Sequence, residues 1–203
     1  MFKSIVKELR HHAPFTFLGA FLGIVFMFLF RNISQEASHD LFYVFHPLHV
    51  LLSALATASM YKLHTCPKGK GPCNLPLLLV VGYFGAIGVA TFSDSLMPYF
   101  GEFLLKMPYR EMHIGFVEKW WLVSAVAIVG VIIACFNPST KFPHAAHVLI
   151  STWASLFHIM MASGGSISWV VYIGIFLFLF LAVWLPCCIS DIVFPLLFVK
   201  RKT

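Results

Sequence analysis

Two stretches of this chain carry the same pair of histidines at the same spacing. HPLHVLLS, which holds His46 and His49, is echoed 98 residues later by HAAHVLIS, which holds His144 and His147. Histidines three residues apart point from one face of a helix. Their ring nitrogens can bind a transition metal or carry a proton. The echo therefore predicts a duplicated polar site.

Two more landmarks recur in the same order. SDSLMP, beginning at Ser93, matches SDIVFP, beginning at Ser190, and HHAPF, beginning at His11, weakly matches MHIGF, beginning at Met112. Each half therefore reads as a histidine, then H-x2-H-V-L-x-S, then S-D-x3-P. Ordered landmarks at similar offsets, here 98, 97 and 101 residues, indicate an internal repeat. We predict one repeat over about residues 11–100 and a second over about residues 112–199.

The composition is that of an integral membrane protein. Hydrophobic residues make up 60% of the chain and charged residues 11%, with a mean hydropathy of +0.87. Six apolar segments are each long enough to cross a hydrocarbon core of about 30 Å: about 13–30, 41–61, 75–100, 114–136, 144–162 and 167–199. We predict an all-α integral membrane protein with a single membrane domain over 1–203. Three helices per repeat is an odd number, so the six transmembrane helices form two inverted repeats.

The basic residues of the short loops predict the orientation. With both termini in the cytoplasm, ten of the 14 Lys and Arg residues lie inside, and the four outside are Arg31, Lys106, Arg110 and Lys119. We therefore expect a protein of the cytoplasmic membrane. The net charge of +6 fits insertion and lipid headgroups, and no nucleic-acid-binding motif is present. The expected partners are the lipid bilayer and a metal ion, with no nucleic acid; a homodimer is left open.

All five cysteines fall on the predicted cytoplasmic side: Cys66, Cys73, Cys135, Cys187 and Cys188. Thiols stay reduced in that compartment. We therefore predict no structural disulfide.

The topology brings the landmarks into two clusters, one toward each membrane face. The outer cluster combines the first repeat with the start of the second and contains His46, His49, Asp94 and His113. The inner cluster mirrors it and contains His144, His147, Asp191 and His12, or its neighbour His11. Each cluster offers three imidazoles and one carboxylate. Ionisable groups inside a membrane need partners of this kind.

Three imidazoles and one carboxylate suit a divalent transition metal. Zinc fits best, with iron, nickel, cobalt or manganese as alternatives. A proton relay and purely structural polar contacts are also open. Cys187 or Cys188 could add a thiolate on the inner side, and Glu118, one turn past His113, could hold a ligand in place. His158 is expected to pack within the bundle.

Prolines predict irregular points in the helices, and glycines predict close contacts between them. Pro98 and Pro195 each follow an aspartate by four residues, and Pro186 predicts a break in the last helix. Glycines spaced along one helical face predict close packing between helices. These are Gly19 and Gly23 in the first segment and Gly82, Gly85 and Gly88 in the third.

Three functions follow from these features. The leading hypothesis is a small inverted-repeat transporter of a divalent transition metal ion, with similar His3Asp sites toward the two faces. The second is an intramembrane metal-dependent enzyme, either a zinc hydrolase or an iron oxidase. The third is a haem-binding electron carrier that uses histidines of facing helices.

Overall fold

The computed structural model describes residues 2–66, 74–163 and 167–198. Inside these ranges the side chains of residues 2–9, 11, 12, 141, 142, 144, 188–193 and 196 are not part of the description. Every regular element in the described ranges is helical. In chain order the elements are α1 (Phe2–Leu29), α2 (Gln35–Thr65), α3 (Leu75–Thr91), a π-helical turn (Phe92–Leu96), α4 (Met97–Leu104), α5 (Gly115–Glu118), α6 (Trp120–Phe136), α7 (Lys141–Ala162) and α8 (Trp169–Leu197).

A short polar side chain caps the start of α2 and of α3. The Ser34 hydroxyl accepts a hydrogen bond from the Ala37 amide at the start of α2, and the Asn74 side chain accepts one from the Leu77 amide at the start of α3. Each cap satisfies an amide that has no partner within the helix. Helix α2 then continues to Thr65 and α3 to Thr91.

Helix α2 lies at the centre of the bundle and contacts α3, α6, α7 and α8. On one side, α2 shares a buried cluster with α1, α7 and α8 that includes Phe42, Leu156 and Leu179. On the other side, α2 packs against α3 and α6 through smaller residues such as Ala54, and these helices therefore approach closely. The polar residues of α2 consequently lie inside the bundle.

Four helices in the described part of the chain are long and apolar enough to cross a membrane: Gln35–Thr65, Leu75–Leu104, Ala145–Ala162 and Trp169–Cys187. Two shorter apolar helices accompany them, Ala13–Leu29 and Trp120–Phe136. Large apolar side chains cover much of the outer surface, as expected where helices face lipid. The architecture is compatible with an all-α membrane protein. Six spans and inverted repeats remain predictions.

The prolines affect the helices differently from what the sequence predicts. The span Leu75–Leu104 is one long helix with a π turn at Phe92–Leu96, which ends two residues before Pro98. Helix α8 runs through Pro186 and Pro195 without a break. The predicted break at Pro186 is therefore wrong, because a proline removes a single backbone donor and neighbouring helices can hold the rest of the helix in place.

Cys66 closes α2 and is disulfide-bonded, with its partner outside the described residues. Cys135 and Cys187 form no disulfide bond within the described residues. The prediction of no structural disulfide is therefore wrong at Cys66. That prediction came from the reducing compartment that the charge bias assigns to this end of α2. A disulfide there favours an oxidising compartment, so the two signals disagree.

The predicted glycine faces are only partly used for close packing. A Cβ atom at Gly130 would overlap the carbonyl oxygen of Leu51 on α2. A Cβ atom at Gly82 would lie 2.6 Å from the Val131 side chain, whereas Gly88 has nothing within 4 Å. The close contact of α2 with α6 therefore depends on Gly130, while Gly88 faces open space.

We expect Gly130→Ala to destabilise the protein by about 1–3 kcal/mol, because the added methyl group forces α2 and α6 apart. Gly88→Ala is the matched control; it is expected to be neutral or to stabilise α3 by up to about 1 kcal/mol. Unfolding of both variants in detergent micelles, followed by circular dichroism, measures the difference. Equal effects at the two positions would contradict the packing assigned to Gly130.

Candidate metal centre

The centre of the bundle holds a carboxylate that is completely buried. Asp94 lies in the π turn Phe92–Leu96 and has no solvent exposure. A π turn inserts one residue into a helix and changes the direction of the side chains within it, and such turns are frequent at functional sites. The turn brings Ser93, Asp94 and Ser95 to buried positions. Three successive polar residues therefore lie inside the bundle.

Four side chains hydrogen-bond to the Asp94 carboxylate. His46 Nδ1 lies 3.0 Å and His49 Nδ1 2.7 Å from Oδ2. Ser93 and Ser151 each donate a hydroxyl hydrogen bond of 2.7 Å to Oδ1. We refer to these five residues as the Asp94 cluster. Because its donors come from α2, the π turn and α7, the cluster joins three elements.

These hydrogen bonds determine which imidazole nitrogens remain available. The carboxylate accepts hydrogen bonds, so His46 and His49 donate through Nδ1, and the Nε2 atom of each ring carries the lone pair when the ring is neutral. His46 Nε2 is buried and has no hydrogen-bond partner among the described residues. His49 Nε2 points toward Cys187, with 3.9 Å between the nitrogen and Sγ. A carboxylate behind a histidine in this way is the usual arrangement at a metal ligand.

A second histidine completes a group of potential metal ligands. The rings of His49 and His147 are stacked with centroids 5.6 Å apart and an interplanar angle of 8°. One ligand atom from each of His49, His147 and Cys187 lies within 4.8 Å of the other two, and all three residues are buried. We call these residues the buried triad. His147 Nδ1 donates to the Pro143 carbonyl oxygen over 3.1 Å, which directs Nε2 away from its own backbone.

The spacing of the buried triad is close to that of a real metal site. Zinc bonds of about 2.0–2.3 Å put tetrahedral ligands about 3–4 Å apart. The distance between His49 Nε2 and Cys187 Sγ, 3.9 Å, already falls in this range. The ligand atom of His147 lies within 4.8 Å of both of these atoms. The donor set, two imidazoles and a thiol, suits a transition metal and is unsuited to calcium or magnesium.

The residues predicted from sequence are grouped differently in the structure. His46, His49 and Asp94 lie together, and His147, which the sequence assigns to the opposite cluster, lies beside His49. His113 makes its described contacts elsewhere, with Glu118, Glu111 and His158. The side chains of His12, His144 and Asp191 lie outside the described residues.

A second buried ionic pair was not predicted. His158 Nδ1 lies 2.7 Å from Glu102 Oε1, both side chains are fully buried, and Glu102 Oε2 has no hydrogen-bond partner among the described residues. His158 is buried, as expected, but it is paired with a carboxylate rather than only packed. Sequence reading ended the third apolar segment at Phe100, which left Glu102 in a loop. The one sign of a buried carboxylate in the sequence is the position of Glu102, only two residues after the end of the apolar segment.

A cavity of about 290 Å³ opens near one end of α2. Its lining includes Gln35, Glu36, His39, Tyr109, Glu111 and His113. His39, His113 and Glu118 each place one potential ligand atom within 4.8 Å of the other two, and all three are partly exposed. The described part of the chain therefore has two groups that could hold a metal ion, one buried and one beside a cavity. Comparison with protein-family models, curated proteins and solved structures finds no match to this chain.

We expect Asp94→Ala to lower the free energy of unfolding by about 3–5 kcal/mol, because it leaves buried donors on His46, His49, Ser93 and Ser151 without their shared acceptor. Asp94→Asn should cost less, since its amide oxygen still accepts hydrogen bonds. The matched control is Asp40→Ala, which removes a carboxylate that is 75% exposed, with an expected change of about 0.5 kcal/mol or less. Thermal unfolding in detergent measures all three; similar losses for Asp94→Ala and Asp40→Ala would contradict the role of the Asp94 cluster.

Proposed function

We propose that this chain is a small membrane transporter for a divalent transition metal ion, with zinc as the preferred cargo. The observation that carries the proposal is the meeting of His49 and His147 in the buried centre, with Cys187 beside them. These two histidines occupy equivalent positions in the duplicated H-x2-H-V-L-x-S sequences. A cargo site shared by both copies, rather than one site per face, is therefore the proposed arrangement.

A shared site gives a simple route to alternating access. His49 belongs to the first repeat, and His147 and Cys187 belong to the second. If one half rocks against the other, the ligands separate on one side or the other, and the ion becomes exposed to one face at a time. Ionisable groups buried in membrane helices commonly mark such pathways.

The packing of the helices supports the inverted repeat within this proposal. Exchange of the halves relates α1 to α6, α2 to α7, and the long helix α3 to α4 to α8. The contact of α2 with α6 then corresponds to that of α7 with α1, the contact of α2 with α3 to that of α7 with α8, and the contact of α1 with α8 to that of α6 with α3. All six pairs are in contact.

The same correspondence supports six spans. Two apolar segments are shorter than the four long ones: Ala13–Leu29, the apolar part of α1, and Trp120–Phe136, which is α6. They are the equivalent first helices of the two halves. A helix of 17 residues is about 25 Å long, which is near the lower limit for crossing a bilayer. The proposed protein therefore crosses the cytoplasmic membrane six times, with both termini in the cytoplasm.

The ligand atoms of the buried triad define the cargo class. A thiolate with two imidazoles binds borderline and soft metals such as zinc, cobalt and nickel better than manganese, which prefers oxygen ligands. The carboxylate of Asp94 holds His49 and does not itself complete the triad. Zinc is the member of this class that needs no particular ligand geometry beyond a tetrahedral arrangement.

An intramembrane metalloenzyme is the second candidate, and one asymmetry favours it. Cys187 corresponds in the first repeat to Ala90, so the thiol is present on one side of the triad only. Three protein ligands with a fourth position for water are typical of catalytic zinc. An enzyme would bind metal in detergent but would not move it across a membrane.

We expect the purified protein in liposomes to carry Zn²⁺ to a trapped fluorescent indicator faster than empty liposomes do. His147→Ala should reduce the rate to background, and Cys187→Ser should slow it by about tenfold or more, since even outer ligand partners contribute about 10–100-fold to metal affinity. Cys135→Ser is the matched control: it replaces a thiol that belongs to neither group of potential ligands, and it should leave the rate unchanged.

Two results would argue against transport. One is a wild-type rate equal to that of empty liposomes despite stoichiometric zinc binding, which would favour the enzyme. The other is a normal rate in His147→Ala, which would remove the buried triad from the pathway.

The proposed orientation has its own test. A fluorescent protein fused after Thr203 should be fluorescent, and alkaline phosphatase at the same position should be inactive, because the ten inner Lys and Arg residues hold that end in the cytoplasm. Active phosphatase would reverse the orientation and would then agree with the disulfide at Cys66.

A further inference from the structure

The side chains of His39, His113 and Glu118 form a group that the buried triad does not explain. They come from α2, the loop after α4, and α5. Their ligand atoms lie within 4.8 Å of one another. His39 and His113 also line the cavity of about 290 Å³. We propose that these three residues form a second divalent metal site, the cavity site, which takes up the ion before it reaches the buried triad.

Hydrogen bonds hold the carboxylate of this site in place. Glu118 Oε1 accepts from the Ile114 amide over 3.2 Å and lies 3.3 Å from His113 Nδ1. Glu118 Oε2 accepts the Tyr43 hydroxyl over 2.5 Å. Lys119 is directed at the Tyr43 ring, with Nζ 3.9 Å from the ring centroid, and forms no ion pair with Glu118 within the described ranges. The carboxylate is therefore oriented by these donors and is not paired with Lys119.

The buried pair Glu102 and His158 fixes the loop that carries His113. His158 donates through Nδ1 to Glu102, which leaves Nε2 to accept the His113 backbone amide over 3.3 Å. The rings of His113 and His158 are 5.8 Å apart. A buried anchor of this kind limits how far the His113 loop can move from α2. Glu102 and His158 are therefore positioning residues of the cavity site.

The cavity site connects to the buried triad along one face of α2. His39 and His46 are seven residues apart, which is two helical turns or about 10 Å, and His49 lies one turn further on. His46 Nε2 is buried without a hydrogen-bond partner among the described residues, and Gly115 lies against this ring, where a Cβ would come within 2.5 Å of Nε2. A side chain at position 115 would close the step between the two sites.

The ligand chemistry of the two sites differs. Two imidazoles and one carboxylate beside water match the ligand set of zinc sites that keep an open position, and such a site can exchange its ion. The buried triad replaces the carboxylate with a thiolate and lies away from solvent. This difference in ligands suits capture of the ion at the cavity site and stronger, more selective binding of the ion at the buried triad. The order of the two sites rests on the proposed function; the existence of the cavity site does not.

Co²⁺ distinguishes the two sites in one experiment. Cobalt bound by a thiolate absorbs in the near ultraviolet through sulfur-to-metal charge transfer, and cobalt bound only by imidazole and carboxylate does not. The full chain in detergent is dialysed against Co²⁺, and metal content and absorbance are recorded together. We expect two cobalt ions per chain, one of them with thiolate absorbance.

Variants assign each ion. His39→Ala and, separately, Glu118→Gln should each remove the ion without thiolate absorbance, while Cys187→Ser should abolish the thiolate absorbance. His64→Ala is the matched control, because the described hydrogen bond of this exposed histidine is to the Met60 carbonyl of its own helix, and the variant should keep both ions. Gly115→Val should slow zinc uptake in liposomes by about tenfold or more, because its side chain would overlap the His46 ring between the two sites.

Each outcome decides a separate claim. A single ion with thiolate absorbance in the wild type, unchanged in His39→Ala and Glu118→Gln, overturns the cavity site and leaves the proposed function standing. A single ion without thiolate absorbance, lost in His39→Ala, supports the cavity site and overturns the buried triad. Absence of bound cobalt overturns both. Thermal unfolding of each variant identifies a loss of metal that is caused by misfolding. If His39→Ala and Glu118→Gln both fold and both lose the ion without thiolate absorbance, that ion is assigned to the cavity site.

Discussion

The rest of the structure depends on the burial of one carboxylate, that of Asp94. An ionised carboxylate in an apolar interior is prohibitively costly unless donors replace the water that it loses. Asp94 has four such partners, and they come from α2, from the π turn itself and from α7. The requirement for these donors accounts for the two histidines on α2, for the serine on α7 and for the irregular turn that directs Asp94 inward. It also means that the two halves of the chain are joined at their centre by hydrogen bonds as well as by apolar packing.

The same carboxylate orients one residue of the candidate metal site next to it. Because Asp94 binds Nδ1 of His49, the Nε2 atom faces Cys187 and the stacked ring of His147. His147 is oriented by other means, through a hydrogen bond from Nδ1 to the Pro143 carbonyl. The second histidines of the two H-x2-H sequences thus use different partners, a side-chain carboxylate for His49 and a backbone oxygen for His147. The buried triad is therefore asymmetric in its supports as well as in its thiol.

The sequence predicts the helical content well, and it predicts that His46, His49 and Asp94 lie together, because composition, helix length and the H-x2-H spacing are local properties. It predicts the grouping poorly. Spacing shows that His46 and His49 share a face, but it does not give their depth or the helix opposite, so it separates His49 from His147. Glu102 is missed because an apolar run has no sharp end, and the helix continues to Leu104. The break predicted at Pro186 is wrong because a helix breaks at a proline only where neighbouring helices do not support it. The sequence of one segment does not show which helices lie beside it.

A site shared between two halves also sets the energetics of the proposed cycle. Separation of the halves at the triad would strain the contact of Ser151 with Asp94, which lies beside it and is bonded over 2.7 Å. Breaking a hydrogen bond to a buried charge costs about 1.5–3 kcal/mol, which is a modest barrier if water enters as the halves part. A bound metal ion would be held by residues of both halves and should therefore keep the halves together. Binding and opening would then oppose each other, so release on the far side needs a second change, such as competition for the imidazole nitrogens by protons. The cluster that stabilises the resting fold would in this way also determine when the ion is released.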